Sequence, residues 1–180
     1  MDILAHTLWA SAGVALLSRR VPIKPGAAAA TIALAALPDV FQMLPVLGWW
    51  IFSSGTFDAV NAFAIAVPGQ EPSMPAMVTL ISHHTHCMAH SALVAGAVTL
   101  VAWRVRAWLL LPLLGWWSHI IIDVFTHSAD YYASPVLYPL TQRGFDGIAW
   151  NTPWFMMLNY SALAVVALII LSTAKRKTEP

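Results

Sequence analysis

The chain has 180 residues, 59% hydrophobic and only 9% charged, where an average soluble domain carries roughly 25% charged residues. This excludes an ordinary water-soluble globule, and nine Trp with seven Phe exclude a disordered chain. A formal charge of +1 lacks the concentrated basic face that a nucleic-acid partner requires, so the expected partner is membrane lipid. One cysteine, Cys87, allows neither an internal disulfide nor a thiolate metal site, which leaves seven histidines and eight acidic residues as potential ligands.

Crossing about 30 Å of hydrocarbon takes about 20 apolar residues, and five runs stand out in chain order. Residues 3–18 end at Arg19 and Arg20 and are followed by Pro22, Lys24, Pro25 and Gly26. This run has neither a basic start nor a small-residue cleavage site and holds His6 inside, so it reads as a retained helix. Residues 27–52 are interrupted by Pro38-Asp39 and Pro45. Residues 53–75 carry no Lys or Arg, and 57–67 predict a short interfacial helix. Residues 77–103 contain His83, His84, His86 and His90; residues 107–127 contain His119, Asp123 and His127. Residues 128–153 gather Tyr131, Tyr132, Tyr138 and Trp150, an aromatic composition suited to a membrane boundary. The fifth run, 154–173, is closed by Lys175, Arg176 and Lys177.

The reading is therefore all-α: a polytopic bundle of about five transmembrane helices forming one domain, 1–174, with a basic tail at 175–180. Eight of the nine basic residues follow helices one, three and five, which a serpentine places on one side. The positive-inside rule then predicts an outer N-terminus and a cytoplasmic C-terminus.

Ionisable groups inside a span cost roughly 2.5–3.5 kcal/mol each and need a partner or a purpose. His6 is 13 residues from Arg19, Asp39 is 15 from Lys24, His90 is 14 from Arg104, and His119 is 13 from Arg106. At 1.5 Å per residue all four lie about 20 Å from the basic face, at one depth. His119, Asp123 and His127 follow each other at i, i+4 and i+8, as do His86 and His90 at i, i+4, so each series keeps one stripe. These stripes predict a pit opening outward, with His83 lying one turn further out. Imidazole nitrogen and carboxylate oxygen suit a catalytic zinc or a di-metal site. The plainer alternatives are a structural His119–Asp123 pair, a helix cap at Asp39 or His127, and single histidines bonding neighbouring helices. Asp2 reads as an exposed terminal residue, and the pairs Trp49-Trp50 and Trp116-Trp117 as packing anchors.

The ordered motifs MDILAHTLWA, ALPDV, HCMAHSALVAG, GWWSHIIIDVFTH and YPLTQRGFDGIAWNTPWFMMLNY touch all five runs. Together they resemble the membrane-bound metal-dependent hydrolases, small prokaryotic inner-membrane proteins that are distantly similar to zinc-dependent phospholipase C and single-strand-specific zinc nucleases. The resemblance implies metal ligation by His6, Asp39, His90, His119 and Asp123, with Asp123 a bridging carboxylate and His127 a weaker addition. Position 41 is Phe where many relatives have a second acid, which implies one or two ions, zinc first, rather than three. The function expected is a phosphoesterase using metal-activated water on a phospholipid or another lipid-linked phosphate, with His86 or His127 transferring the proton. The rival expectations are a metal or proton transporter and a b-type haem protein with His90 and His119 as axial ligands.

Overall fold

A computed structural model describes residues 1–175, so most of the basic tail expected at 175–180 lies outside the described residues. The described chain is helical throughout: α1 (Ile3–Leu17), α2 (Pro25–Phe52), α3 (Phe57–Ala64), α4 (Ala76–Ala89), α5 (Ala92–Val105), α6 (Leu110–Thr126) and α7 (Pro153–Lys175), with a 3₁₀ turn at Ala107–Leu109. Helix starts follow local chemistry. The Asp2 carboxylate accepts from the Ala5 amide at 2.9 Å, so Asp2 is the cap of α1 rather than a loose terminal residue. Pro25 opens α2, where a missing amide costs nothing. Thr56 caps α3 through the Ala59 amide, and α3 ends at Ala64, sooner than expected.

Three helices are long and apolar enough to cross a membrane, or four if the bent pair α4–α5 is one span. The run 3–18 forms a helix of only 15 residues, about 22 Å long, which falls short of a full crossing. Two other features differ from expectation. The run 27–52 is not interrupted, since α2 passes through Pro38 and Pro45 as one helix of 28 residues. The run 77–103 is not one helix, because it breaks at His90-Ser91 and turns by 61°. Ser91 makes that break by capping α5 with its own Oγ, which accepts from the Val94 amide and donates to the Tyr138 carbonyl at 2.7 Å. The Ala92 amide donates to the Val136 carbonyl. Backbone freed inside an apolar layer must find partners, and here the segment after α6 supplies them.

Helix α2 is central and packs on α1, α4 and α6; α7 lies against α1, and α5 against α6. Gly115 lets α2 and α6 meet closely: a Cβ there would fall 1.8 Å from the Thr31 carbonyl oxygen. Near the same end, the Arg19 guanidinium donates to Thr173 Oγ1 and the Ile170 carbonyl, joining the ends of α1 and α7. The opposite end is covered by the segment after α6. Its amides at Gly147, Ile148 and Trp150 donate to the carbonyls of His127, Phe125 and Thr126. Gly147 is required for that approach, since a Cβ would come within 2.5 Å of the Phe125 oxygen.

Candidate metal centre

Four side chains from α2, the α4–α5 break and α6 converge. Asp39, His90, His119 and Asp123 each offer a ligand atom within 4.8 Å of all the others. His90, His119 and Asp123 are fully buried, while the Asp39 side chain keeps 14% of its exposure. Nε2 of His119 lies 3.0 Å from Nε2 of His90. Asp123 Oδ2 is 3.1 Å from His119 Nε2 and 3.3 Å from His90 Nε2. Asp39 Oδ1 stands 3.6 and 3.8 Å from the same two nitrogens. Ligands about 2.0–2.1 Å from a tetrahedral zinc stand about 3.3–3.4 Å from one another, and the observed spacings bracket that edge.

The tautomers point the same way. A carbonyl oxygen can only accept, so Nδ1 of His119, 2.7 Å from the Ala35 carbonyl, must carry a proton. The same holds for Nδ1 of His90, which donates to the His86 carbonyl at 2.9 Å, and for Nδ1 of His127, which donates to the Tyr132 carbonyl at 2.8 Å. In each neutral ring Nε2 then presents a lone pair, and all three face Asp123. Two lone pairs 3.0 Å apart beside a carboxylate oxygen that accepts no hydrogen bond call for a positive charge, either a proton or a metal ion. Fixing Nδ1 on a carbonyl while Nε2 faces a cation is how metal-binding histidines are oriented.

Pro38 lies in the turn that follows Ala35. A proline inside a helix removes one amide from the ladder and pushes on the preceding turn, loosening the carbonyls there. His119 donates into that turn, and the next residue after the proline is the ligand Asp39.

Asp123 divides the remaining histidines. Its Oδ2 faces His90 and His119; its Oδ1 lies 2.9 Å from His6 Nε2, 3.6 Å from His127 Nε2, and against the Met1 amino group. The Met1 nitrogen is also 3.0 Å from His127 Nε2. His6 stacks on His119 with ring centroids 3.8 Å apart, so it reaches the cluster but from the far side of Asp123. His86 packs its ring 4.1 Å from that of His90 with its Nδ1 buried and unpartnered, outside the group of four. His83 is exposed beside Cys87 Sγ, and His84 bonds Tyr138 Oη at 2.8 Å, so neither extends the stripe.

The end at which a pit is expected to open is covered, and of the group of four only Asp39 keeps some exposure. The segment after α6 lies over that end, and Tyr132 holds that cover at a positive φ of 49° that bulky residues rarely adopt. Its carbonyl takes the His127 proton while its hydroxyl donates to Glu71 at 2.7 Å. Burial, then the Glu71 carboxylate, pushes the Tyr132 hydroxyl pKa upward. These carbonyl acceptors escaped the sequence reading because backbone atoms carry no signature; the Pro38-Asp39 pair was the one legible hint.

Comparison with known proteins finds no matching family model, curated protein or solved structure. The residues alone show that Asp39, His90, His119 and Asp123 could hold a metal ion.

Proposed function

We propose that this chain is a membrane-embedded metal-dependent hydrolase acting on a phosphoester, in line with the family its motifs resemble. The observation that supports this most is the spacing of the four ligand atoms, 3.0 to 3.8 Å along five edges, around unshared lone pairs. The all nitrogen-and-oxygen donor set fits zinc, and one ion per chain is the stoichiometry that the group of four supports. When bound, such an ion supplies Lewis acidity and lowers the pKa of water toward 7.

The chain does the rest. Ala35 and His86 carbonyls lock the rings of His119 and His90, so no reorientation is needed to present Nε2. Asp123 holds Oδ2 toward the site because His6 engages Oδ1. Asp39, the ligand residue with residual exposure, marks the side from which a substrate phosphate arrives. His127, with its Nε2 free of any carbonyl and its side chain 10% exposed, stands where a proton can be passed to a leaving group. His86, half-buried against His90 with a buried, unpartnered Nδ1, is the second candidate for proton transfer.

The setting we infer is a prokaryotic inner membrane, with the basic ends in the cytoplasm and the covered end outside. A relay transporter fits less well: α2 before Asp39 and α6 before His119 contain no titratable residue. A bis-histidine haem needs His90 and His119 on opposite faces of a macrocycle, and nitrogens 3.0 Å apart leave no room for one.

Elemental analysis of purified protein should find one divalent ion per chain, falling below one-tenth in Asp39→Ala and in His119→Ala. Metal absent from the parent, or unchanged in both variants, overturns the reading. Sidedness is tested by reporter fusions at Gln70, expected outside, and at residue 177, expected in the cytoplasm.

A further inference from the structure

The break at His90-Ser91 does more than deliver a ligand. By turning 61°, it carries α5 away from α2: α5 packs on α6 and the turn before it, and its backbone makes no close approach to that of α2. The space left is a groove of about 350 Å³, within the roughly 300–1,000 Å³ typical of small-molecule sites. Its lining is wholly apolar. Trp116, the lining residue with a polar side-chain atom, has its Nε1–H committed to the Ala89 carbonyl at 2.6 Å.

Groove and cluster share walls. Pro38 precedes Asp39, Ala89 precedes His90, and Trp116 lies one turn before His119. Phe41 and Met88 line it at about the level of the cluster, and most of the remaining lining lies to one side. Leu34 comes earlier than Asp39 on a helix that starts at Lys24, Leu113 earlier than His119 on a helix that follows Arg106, and Val98 later than His90 on a helix that ends by Arg104. All three are displaced from the cluster toward the basic end. A lipid in the leaflet opposite the basic face has its head outward and its chain toward the midplane, the same order as cluster and groove. Water gains nothing in a channel without polar partners, and an empty one forfeits dispersion contacts.

We propose that the groove is the chain-binding subsite for a lipid-linked phosphoester, seating one acyl or isoprenoid chain while its phosphate reaches the cluster. This rests on the hydrolase reading for its catalytic consequence but not for its occupancy, and two measurements separate them. The first uses hexadecyl p-nitrophenyl phosphate and ethyl p-nitrophenyl phosphate, which share the reacting phosphate and leaving group. Val98→Trp, which fills the groove without touching the cluster, should lower kcat/KM for the hexadecyl ester at least tenfold. The ethyl ester should stay within twofold and metal content unchanged. Leu37→Trp on the opposite wall should do the same, covering the case in which one variant folds poorly. In a parent that cleaves both esters, equal losses on the two, or no loss on either, overturn the subsite.

The second measurement is photo-labelling of the full chain in lipid nanodiscs with hexadecyl phosphate bearing a terminal diazirine. Labels should concentrate in residues 34–41 and 94–98 and fall at least fivefold in Val98→Trp. Labels spread evenly over α1 and α7 as well overturn the groove whatever the enzyme does. Labels confined to the groove in a parent that cleaves neither ester leave the subsite standing and defeat the hydrolase reading alone.

Discussion

Helix α6, taken with the 3₁₀ turn before it, and helix α7 are both apolar segments long enough to cross a membrane, yet they stand at opposite ends of the structural scale. Helix α7 carries no histidine and no acidic residue and leaves Met157, Leu168 and Leu171 exposed. Helix α6 buries Leu113, Gly115, His119, Ile120 and Asp123 against its neighbours. Length and hydropathy say only that a segment can enter lipid. What sets α6 apart is one stripe on which a glycine admits α2 and, one and two turns on, a histidine and an aspartate meet side chains from other elements.

The largest expected effect on that contrast comes from Asp123→Ala. It removes the carboxylate facing His6, His90, His119 and His127, and breaking such a buried charge set costs about 3–5 kcal/mol. Metal content should drop below one-tenth of the parent, with a clear loss of thermal stability in detergent. Next is Gly115→Ala, which forces α2 and α6 apart at the Thr31 carbonyl; overpacking of this kind costs about 1–3 kcal/mol. Because Asp39 and His119 sit on the two helices being separated, metal affinity should fall as well, by titration with a fluorescent chelator. Ser91→Ala removes the cap of α5, at about 1 kcal/mol, and should raise amide hydrogen exchange at residues 92–94. The smallest effect belongs to α7: Leu168→Ala, at a side chain 66% exposed, should stay within about 0.5 kcal/mol and leave bound metal unchanged. A larger effect there would mean that α7 packs on something in the membrane.

The candidate ligands were legible because ionisable residues inside apolar runs are expensive, and because four of them fell at one distance from the basic boundaries. Counting along helices works for depth, and depth was enough to pick out His6, Asp39, His90 and His119. It says nothing about azimuth. His6, expected among the ligands, lies outside the group of four and bonds the other carboxylate oxygen of Asp123. Hydropathy was blind to the break at His90-Ser91 because the two helices together read as one apolar span. A serine inside such a run bends the chain only where an outside carbonyl, here that of Tyr138, accepts its hydroxyl. Likewise Pro38 reads as an interruption until the neighbouring His119 is seen to donate into the loosened turn.

From its residue types and their intervals alone, the chain determined that it is helical, that its surface suits lipid, and which side chains are too costly to be there without partners. Those are properties of segments, set by transfer free energy and by a fixed rise per residue. The tertiary structure decided which histidines share an oxygen of Asp123, which nitrogen each presents, that the end away from the basic residues is covered, and that an apolar groove opens beside the cluster. Such features depend on helix rotation and on backbone carbonyls contributed by distant segments, and neither leaves a trace in the order of the amino acids.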